Sequence, residues 1–179
     1  CTLINVGEVE ILIDAGSRAS SITPIFEYCS QYIDGKLDYA IVTHAHQDHY
    51  AGFATNENVP SLFDLFTVET IIKFDLTNQK ETGKLYSNFI RELEQTQDEK
   101  LTKVYTANEC VEEENGATKT FDLGNDVELE ILYQKYYEEK ATTENDYSVC
   151  CMINQGSGSD ARHYLFTGDL EAGGESSLV

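Results

Sequence analysis

Short apolar runs alternate with polar turns through the first fifty residues. Residues 3–6 and 9–13 carry strand-like apolar patterns on either side of a tight turn containing Gly7, which predicts two joined strands. Thr23 and Pro24 then have the form of an N-cap followed by a first helical residue. Ile25, Cys29 and Tyr32 would share one face of that helix, and Gly35 would end it. The run Asp38-Tyr39-Ala40-Ile41-Val42 predicts a buried strand. After Gly52 a polar stretch leads to a short helix over 60–66 and a strand over 68–74.

Residues 81–97 carry the strongest helical period, with Leu85, Phe89 and Leu93 four apart. A strand follows over 103–107, and 112–116 is a solvated acidic turn. Residues 118–123 and 127–133 alternate as strands around Gly124-Asn125-Asp126, a hairpin signal. The stretch 134–146 is polar and without period, and is expected to be a mobile loop near the mouth of a site. A strand over 147–153, a flexible connection over 155–160 and a last strand over 164–166 complete the pattern. Strands and helices alternating in this way predict an α/β fold, read as a single domain over 1–179.

Composition narrows the class. In 179 residues, 41% hydrophobic and 25% charged content suits a globular domain with its own core. No run reaches the roughly 18 apolar residues of a membrane span. Twelve basic against 32 acidic residues leave a formal charge of −20, with no Lys/Arg cluster. This argues against tight, nonspecific binding to nucleic acid, which depends on basic groups displacing phosphate counterions. A phosphate-directed enzyme stays open, because a metal can supply the positive charge. The five cysteines are odd in number and form no C-x-x-C pair, so buried free thiols in a reducing, cytoplasmic setting are expected. Nothing in the pattern specifies an oligomeric state.

The chemistry concentrates in Thr43-His44-Ala45-His46-Gln47-Asp48-His49, directly after the predicted strand ending at Val42. Three of the four histidines and a carboxylate fall within six positions there. Imidazole nitrogen and carboxylate oxygen are what zinc prefers, and a mixed His/Asp site also suits manganese or iron. The stretch is expected to hold one or two such ions.

His44-x-His46-x-Asp48-His49 resembles the signature of the metallo-β-lactamase superfamily. Leu12-Ile13-Asp14-Ala15-Gly16 before it and Phe166-Thr167-Gly168-Asp169 after it fit that pattern in order. The resemblance implies a metallo-β-lactamase-like αββα sandwich and hydrolysis by a metal-activated water. His44 and His46 would serve a first ion, Asp48 and His49 a second, with Asp169 bridging both. Asp48 would also hold and orient the attacking hydroxide. Asp14 would act behind the ligands by orienting a histidine, a role that suits a carboxylate on the distal ring nitrogen; a turn or cap aspartate is the plain alternative. Asn145-Asp146-Tyr147-Ser148 before a hydrophobic strand is similar to the branch containing the C-terminal hydrolase domain of bacterial competence DNA-uptake proteins. On that resemblance Asn145 and Ser148 would contact substrate phosphate or brace the metal loop; a turn into a strand is again the alternative. The implied substrates are a phosphodiester or another small ester.

Two ligands of the pattern are missing. The first ion's further histidine aligns with Tyr133, a poor zinc ligand because its unperturbed pKa is about 10. That substitution also admits a catalytically degenerate scaffold or metal-binding domain. His163, six positions before Asp169 on one strand, would lie about 20 Å away at ~3.3 Å per residue. The second ion's further histidine would fall beyond Val179, and the chain also opens within a strand pattern. The sandwich is therefore expected to be incomplete at the C-terminus, and possibly at the N-terminus.

Overall fold

The computed structural model describes residues 1–55, 59–80 and 82–178. Two sheets face each other. In the first, β1 (Thr2–Val6) and β2 (Val9–Ile13) form an antiparallel hairpin. Then β3 (Lys36–Val42), β4 (Thr67–Lys73) and β5 (Lys103–Thr106) add in parallel, in the order β1-β2-β3-β4-β5. The second sheet is an antiparallel meander of β6 (Thr120–Asp122), β7 (Val127–Leu132), β8 (Cys150–Gln155) and β9 (Arg162–Phe166).

Tyr39 of β3 meets Phe121 of β6 edge-on, with ring centroids 5.3 Å apart, so this face of the first sheet looks onto the second. Ile11, Ile41 and Ile72 share that face through the strand registers and pack in one core with Leu129, Ile131, Cys151 and Ile153. The other face, with Leu12, Ala40, Val42 and Ile71, is buried too, as a parallel sheet requires. α3 (Leu62–Leu65) lies against β4 and α4 (Lys84–Lys100) against β5. The result is a mixed α/β fold consistent with a metallo-β-lactamase-like architecture. On the outer side of the second sheet, Leu132, Cys150 and Leu170 form a small separate cluster beside α6 (Ala172–Glu175). No helix among the described residues is long and apolar enough to cross a membrane.

Several expectations need correction. α1 spans Ile22–Cys29, so Ser21 is the N-cap and Pro24 sits inside the first turn. Pro is tolerated there because the first helical N–H groups have no intrahelical partner. Tyr32 lies beyond the helix end and is exposed. α4 begins at Lys84; Glu81, where the helix was expected to start, lies outside the described residues, as does part of the polar stretch after Gly52.

Ala107 opens a helix, α5 (Ala107–Glu112), rather than closing β5. Its signal was a reciprocal cap: Thr106 Oγ1 accepts from the Glu109 N–H, and Glu109 accepts from the Thr106 N–H. The expected mobile loop over 134–146 is packed, and β8 starts at Cys150 rather than at 147. Gln134, Tyr137, Glu144, Asp146 and Tyr147 are all buried. The connection over 155–160 contains a turn of 3-10 helix at Gly158–Asp160.

Candidate metal centre

The loop leaving β3 is shaped by a carboxylate from the neighbouring strand. Asp14 follows β2 with φ +58°, a left-handed conformation that Asp tolerates better than most residues. Its Oδ1 accepts from the Thr43 N–H at 2.8 Å. Its Oδ2 accepts from the Thr43 hydroxyl at 2.8 Å and from His49 Nδ1 at 2.7 Å. Three donors on one buried carboxylate fix both the start of the loop and the ring of His49. The backbone closes around the same point. Ala15 N–H donates to His49 O at 2.8 Å and Gly52 N–H to Ala15 O at 2.9 Å. A Cβ on Gly52 would stand 2.2 Å from that carbonyl oxygen, so only glycine fits.

The three histidines sit at different depths. His44 is fully buried, and its Nδ1 faces Thr43 Oγ1 at 3.2 Å and Ser148 Oγ at 3.3 Å. His46 is the N-cap of the short helix α2 (Gln47–Tyr50), and its Nδ1 lies 3.0 Å from His44 Nε2. His49 Nε2 points toward Asp169 Oδ2 at 3.4 Å and Asp48 Oδ2 at 3.8 Å. The His44 and His49 rings are 4.1 Å apart between centroids. Asp48 is exposed.

Asp169 arrives from the other sheet, three residues after β9, and Ser148 links it to the loop. The Asp169 N–H donates to Ser148 Oγ at 3.2 Å, and the Val149 N–H donates to Thr43 O at 2.8 Å. Gly168 lies in the same crowd, since a Cβ there would come within 2.9 Å of both Ser148 Oγ and Thr43 Cβ.

His44, His49 and Asp169 each offer one ligand atom, and all three atoms lie within 4.8 Å of one another. Zinc–nitrogen and zinc–oxygen bonds near 2.1 Å place tetrahedral ligand atoms roughly 3.4 Å apart, which the 3.4 Å between His49 and Asp169 matches. The distal nitrogens of both histidines are occupied elsewhere, the arrangement typical of metal-binding imidazoles. The residues therefore fit a divalent ion.

The electrostatics set the two histidines apart. Burial, with the positive charge of His49 nearby, pushes His44 down to about 3, so it is neutral at physiological pH. Burial also opposes charge on His49, but the Asp14 hydrogen bond and the carboxylates of Asp14, Asp169 and Asp48 outweigh it and raise its pKa.

The remaining sequence candidates have other contacts. The Tyr133 hydroxyl donates to Glu138 at 3.3 Å, and the next residue, Gln134, is the one buried. Asn145 Nδ2 donates to Glu171 at 3.0 Å. His163, exposed on β9, pairs with Asn154 Oδ1 at 2.7 Å. The sequence assigns Thr43 no role of its own, because a threonine at a strand end has no chemical signature. Its adjacency to His44 was the available clue.

Residues 1–55, from β1 through the histidine loop, match the family model of the Metallo-beta-lactamase superfamily. No curated protein matches the chain significantly. The match ends just past the histidine loop; Ser148 and Asp169, which complete the cluster, come from the part of the chain outside it.

Proposed function

We propose that the protein is a metal-dependent hydrolase acting on a phosphodiester, with zinc as the first-choice ion and manganese or iron as substitutes. The observation that carries this reading is the convergence of His44, His49 and Asp169 from two sheets onto one point. When bound there, a divalent ion would lower the pKa of a water and neutralise charge on a phosphoryl oxygen. His44 and His49 would hold it through Nε2 and Asp169 through a carboxylate oxygen. His46, 3.0 Å from His44 Nε2, and Asp48, 3.8 Å from His49 Nε2, would complete or extend the ligand set. Asp48, exposed beside the cluster, is the group to orient the attacking water and take its proton.

Phosphodiester is preferred over other esters on the likeness of Asn145-Asp146-Tyr147-Ser148 to the competence-protein branch, with Ser148 bracing the loop and Asn145 near it in sequence. The charge of −20 favours a small or short substrate over long nucleic acid. A second reading, metal binding without hydrolysis, draws on Tyr133, which stands where the resembling family has a histidine and whose hydroxyl is engaged by Glu138. Titration with zinc and with manganese, followed by hydrolysis of a bis-aryl phosphate, separates the two. Hydrolysis that follows metal loading and falls at least 100-fold in Asp48→Asn supports the enzyme. Tight metal binding with no turnover of any ester supports the second reading.

A further inference from the structure

Thr43 stands between a carboxylate and two histidines. Its hydroxyl oxygen lies 2.8 Å from Asp14 Oδ2, 3.2 Å from His44 Nδ1 and 3.2 Å from His49 Nδ1. Asp14 makes the shorter contact to His49, 2.7 Å, so the His49 Nδ1 proton goes to the carboxylate. A carboxylate whose two oxygens already accept three donors has no proton to give. The single Thr43 proton is therefore spent on Asp14, and the Thr43 oxygen is left able only to accept. The group facing it, His44 Nδ1, must then be the donor. That places the His44 proton on Nδ1 and leaves Nε2 unprotonated, its lone pair facing His46 Nδ1 at 3.0 Å and in the form a metal needs.

Ser148 does not settle the matter by itself. Its oxygen accepts from the Asp169 N–H at 3.2 Å, while its own proton can turn toward His44 Nδ1, 3.3 Å away. In that arrangement the His44 proton would move to Nε2 and block the ligand position. We propose that Thr43 is a positioning residue that passes the orienting effect of Asp14 on to His44, so that one carboxylate fixes the tautomers of two histidines, one directly and one through a hydroxyl. The consequence for metal rests on the metal-centre reading; the tautomer itself does not.

The two parts are tested separately on the whole chain. Nitrogen-15 histidine spectra of chelator-treated protein report each ring's tautomer. The wild type and Thr43→Ser should show His44 protonated at Nδ1. Thr43→Val should shift His44 toward the Nε2-protonated form while His49, held directly by Asp14, stays protonated at Nδ1. Ser148→Ala should leave His44 as in the wild type. Zinc affinity should fall about 10–100-fold in Thr43→Val and recover in Thr43→Ser.

The unchanged His49 signal shows that the Thr43→Val fold is intact. Should that variant not fold, the wild-type spectrum decides alone, because His44 protonated at Nε2 there overturns the relay. A folded Thr43→Val with an unchanged His44 tautomer also overturns it. Failure of the wild type to bind zinc overturns the metal-centre reading instead, and the tautomer result stands apart from it.

Discussion

The segment that follows β3 and the segment that precedes β8 meet at one edge of the two sheets, and they are ordered in opposite ways. The first is fixed by a single buried carboxylate, Asp14, which gathers three donors from Thr43 and His49. The second, over 134–148, has no such hub. Gln134 Nε2 donates to Asp146 O at 2.9 Å, and Gln134 Oε1 accepts from the Tyr136 N–H at 2.8 Å. The Tyr137 hydroxyl accepts from the Cys150 N–H, the Tyr147 hydroxyl accepts from the Ala141 N–H, and Glu144 accepts from Thr77 and Asn78. A loop held at one point should fail as a unit when that point is removed. A loop held by dispersed side-chain bonds should lose stability piece by piece, and metal affinity hardly at all.

The largest effect is expected at the hub. Asp14→Ala leaves buried donors of Thr43 and His49 without an acceptor. Each such orphan costs about 1–3 kcal/mol, so urea unfolding should show a loss on the order of 3 kcal/mol or more. Zinc affinity should fall by about 10–100-fold as well. Glu144→Ala is the matched change in the second segment. It removes the acceptor of the Thr77 hydroxyl at 2.6 Å and the Asn78 N–H at 2.7 Å, and should cost about 1.5–3 kcal/mol. Zinc titration of this variant should give nearly the wild-type affinity. A loss as large as that of Asp14→Ala would break the contrast, since the two segments would then behave as one unit.

Tyr137→Phe is smaller and more local. It leaves the buried Cys150 N–H unpaired, at a cost of about 1–2 kcal/mol, and amide exchange should quicken at Cys150 before other positions in β8. The smallest effect concerns Asp75, in the segment after β4 that also carries Thr77 and Asn78. Burial raises its pKa, against hydrogen bonds from Thr106 and the Asn108 N–H that work to lower it. A raised folded-state pKa gives a contribution fully present below the ordinary aspartate value and lost as pH rises through the folded value. Asp75→Asn should therefore flatten part of the fall in urea midpoint as pH rises above the ordinary aspartate value of about 4. A steeper fall in the variant would mean that the hydrogen bonds outweigh burial.

The same contrast explains what the sequence made legible. Strand periodicity located β1, β2 and β3, and the spacing of Leu85, Phe89 and Leu93 located α4, because burial on one face imposes a period. The histidine loop stood out because ligand chemistry admits few residue types, and they lie close together. That Asp169 joins the histidines came from the resemblance alone, since it lies on the other sheet, 120 positions beyond His49. The order of 134–148 left no pattern: its side chains bond to backbone and to distant residues such as Thr77, with no repeat to detect. Tyr133 stood out by alignment, yet the burial falls on Gln134. Thr43 is a common residue at a strand end whose importance comes from what surrounds it in space, and Ser148 stood out through the resemblance alone.

In the proposed metal centre, His44, His49 and Asp169 bind one ion. Diffraction at the zinc absorption edge, on crystals grown with zinc, tests it most directly. An anomalous peak is expected about 2.0–2.2 Å from His44 Nε2, His49 Nε2 and an Asp169 carboxylate oxygen. A peak held by other residues, or none at this cluster in zinc-saturated crystals, would contradict it.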